Sequence, residues 1–433
     1  MDVFSQQQKD VIDAMQMTLA KLEASDPATL TLLAGDKTSS LAGLDPEPRR
    51  LQAIQSLKDS ITEAEAESVP EGHPYHSRDA LTGLIQSQIE DNVIPELQAT
   101  GQGNPVVWIP AGVLGVLEHF RTKYPFQTAT AASRIQIPNN CKIALLADWG
   151  ADNIHAARLG KLAIAKGADY VIHLGDIYYS GTEGECLTFL QNWPLKQPNG
   201  TPVKGKSFAL NGNHEMYSLG RPYFTIVLPA FGQEASYFTL FNDNWQIHGL
   251  DTAYVPFSIG GGTTDTRLQI QSKWLTDNIK NNPTKRNILL THNQPVSAHL
   301  PEFQQAQTLM NEARQLLQQL GGTAFYGWFF GHEHRCTIYK DDDPGALFRA
   351  RLIGNGSIAH HPQEEVKSEA DETGATTTPF LKVNSRALDE DNQVAVSTFA
   401  MLTFTGTTIQ IQYIDEDDRL FYEETWDANK KLW

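Results

Sequence analysis

From Lys142 onward the chain repeats one pattern: a short apolar run breaks off into a polar cluster. KIALLADWG (Lys142–Gly150) ends in Asp148-Trp149-Gly150, and ADYVIHLGD ends at Asp176, with a helical stretch from Ile154 to Lys166 between them. KSFALNGNHE reaches Gly212-Asn213-His214-Glu215, RNILLTHNQP reaches His292, and GWFFGHEHR reaches Gly331-His332-Glu333-His334. Apolar runs of this length, bounded by turns, read as buried strands, and the strand–helix–strand order predicts βαβ units. NWQIHGLD adds a strand near Ile247–Leu250. In such sheets ligands bind beyond the carboxyl ends of the strands, so clusters far apart in sequence can meet at one place. Beyond Leu347, FRARLIGNGS and AVSTFAMLTFTGTTIQIQYID alternate as antiparallel strands do, around a polar loop, HPQEEVKSEADETGATTTP.

The N-terminal part has a different texture. Val11, Met15, Leu19 and Leu22 recur at helical spacing, as do Leu51, Ile54, Leu57 and Ile61, and then Leu81, Leu84, Ile85 and Ile89. Gly43-Leu44-Asp45-Pro46, Pro70-Glu71-Gly72-His73-Pro74 and Gly101-Gln102-Gly103-Asn104-Pro105 separate these runs, and Pro95 should end the third early. No strand signal precedes Val106–Ile109. The expectation is a mostly α-helical domain over residues 1–135, a possible cap or interaction module, followed by an α/β domain over residues 136–433.

Charge narrows the partners. Lys and Arg total 34 against 51 Asp and Glu, a net −17, so a phosphate backbone would be repelled over most of the surface and no nucleic acid polymer is expected to bind. Apolar residues at 40% supply a sizeable core, yet no stretch approaches the ~20 apolar residues that cross a bilayer, so no membrane association is expected. The opening MDVFSQQQKDVIDAMQMTLAKLEAS mixes charges with spaced apolar residues as a helix does and a secretory leader does not, which predicts a cytoplasmic protein unless another export route operates or the sequence starts after processing. Cys141, Cys186 and Cys336 lack CxxC spacing, which argues against a disulfide framework or a cysteine zinc site.

The chemistry lies in the clusters. They hold two carboxylates (Asp148, Asp176), an amide (Asn213), three imidazoles (His292, His332, His334) and a phenol (Tyr179), with His214 to spare. Oxygen and nitrogen donors without thiolate suit iron, manganese or zinc. Seven such donors are too many for one ion and enough for two, provided one carboxylate bridges.

This ordered set resembles the calcineurin-like metallophosphoesterase superfamily, whose blocks run D-x-[HG], GD, GNH[DE], H and GHxH. Within it the set is most similar to the purple acid phosphatases. Most of the superfamily places a histidine two residues after the first aspartate; here that position is Gly150, and Tyr179 stands three residues after the second aspartate, Asp176. Purple acid phosphatases share both departures. The resemblance spans about residues 141–360 and does not reach residues 1–135. It implies a β-sandwich of mixed sheets flanked by helices. It also implies a first metal on Asp148, Asp176, Tyr179 and His334, and a second on Asp176, Asn213, His292 and His332. The first would be Fe(III), which suits a phenolate; the second would be Zn, Mn or Fe(II), which suits a neutral trio of Asn213, His292 and His332.

In the same resemblance His214 would face the substrate as phosphate clamp or leaving-group acid, with Glu215 orienting it and His299 as a second clamp. The implied reaction is hydrolysis of phosphomonoesters, on a small molecule or a protein, by in-line attack of water activated between ions roughly 3.5–4 Å apart. Phosphodiesterase or nucleotide hydrolase chemistry uses the same ligands and is the alternative, as is a partner-recruiting role for the N-terminal helices. Tyr178 is the other phenol that could serve as ligand. Trp149 reads as packing, and His155, His173, His248, His360 and His361 read as structural, although the last two follow a Gly354-Asn355-Gly356 turn that could border the site. His73 and His76 read as loop residues.

Overall fold

The computed structural model describes residues 3–24, 46–66, 79–92, 123–260, 265–297, 300–320, 325–341, 347–358, 380–384 and 396–430. Contacts group them into two units. The first takes the described residues up to Tyr124 together with Tyr178–Glu185 and His214–Pro222, and the second takes Pro125–Ile177, Cys186–Asn213 and the described residues from Tyr223 onward.

In the first unit, the helical periodicities fold as helices α1 (Val3–Ala24), α2 (Pro46–Ala66) and α3 (Ala80–Asn92). Val11, Ala14, Met15 and Leu22 pack with Ala53, Leu57, Ile61 and Ala64 and with Leu81 and Ile85. Asp79 caps α3 by accepting from the Thr82 amide at 2.8 Å. One position departs from the expected stripe: Leu51 is 54% exposed. The buried face of α2 runs through Ala53, Leu57, Ile61 and Ala64, a stripe rotated away from Leu51, and alanine lets the helices approach where hydrophobicity alone favours leucine.

The second unit is built on two mixed sheets. Six strands run in the order β14 (Leu420–Asp427), β13 (Thr408–Asp415), β12 (Thr398–Thr405), β2 (Asn140–Leu146), β3 (Tyr170–His173), β4 (Ser207–Ala209). Eight run in the order β1 (Arg134–Gln136), β5 (Phe238–Phe241), β6 (Trp245–Gly249), β7 (Arg286–Leu290), β8 (Gly327–Phe330), β10 (Arg349–Ile353), β9 (Cys336–Tyr339), β11 (Phe380–Asn384). Ile143, Leu145, Ile172 and Phe208 of the first sheet share a core with Leu240, Ile247, Ile288, Leu290, Phe329 and Ile338 of the second. On the other face of the larger sheet, Leu289, Trp328, Phe330 and Leu352 meet Leu275 and Ile279 of helix Thr266–Lys280 and Leu309 and Leu316 of helix Leu300–Gln319. Both faces are covered, which is why these strands read as continuous apolar runs and not as alternation.

One pairing differs from expectation. The alternation of FRARLI predicts an antiparallel strand, and β10 is antiparallel to β9 but parallel to β8, lying between them. Side-chain period is the same in both pairings, so the sequence carries no mark of the difference. The consequence is functional: β2, β3 and β4 are mutually parallel, as are β7, β8 and β10, and all deliver their carboxyl ends together.

A buried ion network joins the sheets. Arg351 on β10 is wholly buried and grips Glu424 on β14 through Nε–H and Nη2–H, both at 2.7 Å, and Asp341 at 2.9 Å. Glu424 also accepts from Tyr413 Oη at 2.9 Å and Trp426 Nε1 at 2.8 Å. Burial pushes the Glu424 carboxyl up, but the guanidinium and these donors outweigh it and hold it below the usual glutamate range. A carboxyl depressed in the folded state contributes stability above its unfolded pKa, and that contribution is lost as pH falls through the folded value. Arg351→Met should therefore destabilise the protein by about 3–5 kcal/mol at neutral pH, because it strands a buried carboxylate. Urea denaturation should also show a smaller loss between neutral and acid pH than in the wild type, since the variant has less of this contribution to lose.

Candidate metal centre

Six of the residues singled out in the sequence converge in the second unit. Asp148 follows β2, Asp176 follows β3, Asn213 follows β4, His292 follows β7, and His332 and His334 follow β8. Ligand atoms of Asp176, His292 and His332 lie within 4.8 Å of one another, as do those of Asp148, Asp176 and His334, and Asp176 is common to both groups.

The hydrogen bonds around these atoms fix their chemistry. His292 Nδ1–H donates to the Leu174 carbonyl at 3.0 Å, which leaves Nε2 as a lone pair facing the cluster. That nitrogen lies 2.9 Å from Asn213 Oδ1, 3.2 Å from His332 Nδ1 and 3.3 Å from Asp176 Oδ1. His332 Nδ1 is 2.9 Å from the same Asn213 oxygen, and His334 Nε2 is 3.5 Å from Asp148 Oδ1. Lone pairs gathered this closely around two buried carboxylates are what a cation neutralises. The donors are all oxygen and nitrogen, and Asp176 stands in both groups, so these residues could hold metal ions.

Backbone strain is concentrated at the same place. Asp148, Asp176 and His332 have φ of 53°, 74° and 74°, in the left-handed region that residues with a Cβ avoid. The His332 amide donates to Asp148 Oδ2 at 2.9 Å, and Ser357 Oγ donates to the Asp148 carbonyl at 2.7 Å. The Gly354-Asn355-Gly356 turn thus does border this cluster, with Gly356 N–H donating to Ala147 at 3.0 Å. Gly150, where a histidine stands in most of the resembled superfamily, has no room for one. A Cβ there would lie 2.5 Å from Ile177 Cα and 2.6 Å from the Asp176 carbonyl oxygen. The glycine lets the two aspartate-bearing turns touch, and it removes a ligand by the same contact.

Tyr179 and His214 belong to the first unit. There His214 is buried and its Nδ1–H donates to the Tyr179 carbonyl, while its ring sits 4.6 Å from those of Tyr178 and Tyr217. His299, His360 and His361 lie outside the described residues, as do Pro95, Val106–Ile109 and the polar loop before Phe380. His155 is bound to Glu416 at 2.7 Å. Burial drives His173 down to about 3 and His248 down to about 4, so both are neutral. Trp149 is packed, its Nε1–H donating to Ala156 at 2.8 Å. The three cysteines are buried and free, with burial pushing Cys141 and Cys336 up to about 12.

Sequence reasoning missed Glu185 and Ser87. The signal for Glu185 is present as Thr182-Glu183-Gly184-Glu185, a capping-box pattern; nothing local marks Ser87.

The segment bearing these residues is identifiable. Residues 141–336 match the family model described as calcineurin-like phosphoesterase. No curated protein matches the chain. Among solved structures it is similar to GAP50, the anchor in the inner membrane complex of Plasmodium, at 11% identity and TM-score 0.49 over 67% of this chain and 90% of that one. It is similar to purple acid phosphatase PPD1 from yellow lupin (Lupinus luteus) seeds at 16% identity and TM-score 0.47, over 71% of this chain and 55% of that one. A putative 5'-nucleotidase from Staphylococcus aureus shows 12% identity and TM-score 0.32, over 67% and 55% respectively. Among the described residues no helix is long and apolar enough to cross a membrane.

Proposed function

We propose that the chain hydrolyses phosphomonoesters at a dinuclear metal site of the purple acid phosphatase kind. The observation that carries this reading is Asp176, whose carboxylate is common to two ligand groups. When bound, two ions would polarise a phosphoryl oxygen and activate water. Asp148, Asp176 and His334 would hold the first ion with Tyr179, and Asp176, Asn213, His292 and His332 the second. The chain's own part is positioning and proton handling. The Leu174 carbonyl keeps the His292 proton on Nδ1, and the His332 amide orients Asp148. His214, its Nδ1–H held by the Tyr179 carbonyl, would use Nε2 toward the substrate as phosphate clamp or leaving-group acid. Phenol as a ligand favours Fe(III) for the first ion, with Zn, Mn or Fe(II) at the second. The net charge of −17 favours a phosphorylated small molecule or protein over a nucleic acid.

Colour and rate ratio together test this. Loaded with iron, the protein should be violet or pink from phenolate-to-Fe(III) charge transfer, and Tyr179→Phe should remove the colour while Tyr178→Phe keeps it. Turnover of an aryl phosphate monoester should exceed that of the matched diester. An iron protein without colour would overturn the tyrosine ligand, and faster diester turnover would turn the reading to a phosphodiesterase.

A further inference from the structure

The carboxylate of Glu185 is a saturated acceptor. Its Oε1 takes the Tyr179 amide and the Ser87 hydroxyl, the latter at 2.7 Å, and its Oε2 takes the amides of Ser180 and Thr182 at 3.0 and 2.9 Å. An ionised carboxylate offers about four acceptor sites, and here all are used. Three of the donors are backbone amides of the loop that carries Tyr179. The fourth comes from α3, 98 residues earlier in the chain. The Glu185 amide donates back to Thr182 Oγ1 at 3.4 Å, closing a capping box at the start of helix Glu183–Asn192.

Packing on α3 points the same way. Gly83, one turn before Ser87, approaches the loop so closely that a Cβ there would lie 3.0 Å from Ser180 Oγ and 3.1 Å from Tyr217 Cδ2. Ser87 itself is buried, and its single hydroxyl proton goes to the nearer carboxylate at 2.7 Å, with the Gly83 carbonyl at 3.0 Å the competing acceptor. The neighbouring segment is tied in as well: Ser218 Oγ donates to Gly181 at 2.8 Å, and His214 to Tyr179. Within the first unit, then, the helical part of the chain is built against the two loops that flank the ligand motifs in sequence.

We propose that Ser87 is a positioning residue that acts through Glu185 to set the backbone of Tyr179–Thr182, so that the N-terminal helices govern the conformation of the loop that carries Tyr179. The inference rests on the proposed role of Tyr179, because only then does the loop's conformation bear on metal binding. Hydrogen bonds to an ionised group hold more tightly than neutral ones, and removing one donor frees the loop without removing its ligand.

The test uses the full chain and two readouts. In metal-free protein, Ser87→Ala should speed amide exchange over residues 178–185 by about tenfold, the scale of one hydrogen bond to a charged group. Glu185→Gln should speed it further, since an amide NH₂ would then face an N–H donor. Ser60→Ala is the matched control: it also removes a buried serine donor from a carboxylate, at 2.7 Å, but that carboxylate is Asp79, the cap of α3, so it disturbs the same helix without touching Glu185. It should leave exchange in that segment unchanged. In iron-loaded protein, Ser87→Ala should shift or weaken the charge-transfer band and Ser60→Ala should not. Equal exchange in Ser87→Ala and wild type, or the same acceleration in Ser60→Ala, would overturn the positioning role. If iron-loaded wild type lacks the band, the tyrosine ligand fails instead, and the exchange comparison still decides whether Ser87 sets the loop.

Discussion

Asp176→Ala is expected to abolish binding of both ions together, which no other single ligand replacement should do. The reason is geometric: Asp176 belongs to both ligand groups, whereas His334 belongs to one and His292 and His332 to the other. Metal analysis after dialysis should find neither ion retained in Asp176→Ala. His334→Ala should keep the ion of the Asp176, His292 and His332 group and lose the other. Turnover in Asp176→Ala should fall further than the roughly 10²–10³-fold that follows loss of a single electrostatic donor. A variant that retained one ion at wild-type affinity would show that the carboxylate does not bridge. Asp176→Asn separates charge from shape. It keeps an oxygen in place but is neutral, so it should still fail to hold two cations next to one another.

For His214→Ala the expected loss is about 10²–10⁴-fold in kcat on alkyl phosphates, whose leaving groups need a proton. On an activated aryl phosphate the loss should be much smaller, because that leaving group departs unprotonated. The imidazole is held in a fixed orientation. It is buried, its Nδ1–H is occupied by the Tyr179 carbonyl, and the rings of Tyr178 and Tyr217 flank it. Nε2 would then be the atom that donates a proton. Steady-state kinetics on the two substrate classes make the measurement. Equal losses on both would leave His214 a phosphate clamp and remove its role as an acid.

Much of the catalytic segment is legible in the sequence because its signals are local. An apolar run of strand length, ended by a turn, is set by a handful of adjacent residues, and Lys142–Leu146, Tyr170–His173 and Asn287–Leu290 all fold as strands. The candidate donors are equally local, since Asp148, Asp176, Asn213, His292, His332 and His334 each sit a few residues beyond a strand end. The paired departure at Gly150 and Tyr179 can also be read directly. On α2, by contrast, periodicity marks Leu51 as core, and helix packing chooses the alanine-containing stripe beside it.

What the sequence determined by itself was therefore which side chains stand at the ends of which strands, and the class of ion they suit. Tertiary structure decided which of their atoms meet. Asp176 is shared because β3 lies in one sheet and β7 and β8 in the other, with their carboxyl ends brought together. The His292 proton is placed by a carbonyl 118 residues away, and Glu185 receives its last donor from a serine 98 residues earlier. Gly150 is obligatory because the Asp176–Ile177 backbone occupies the space a side chain would need. Each of these is a contact between segments distant in the chain. A hydrogen bond or a steric limit depends on distances of a few tenths of an ångström, which residue order and spacing do not encode and the packed fold does.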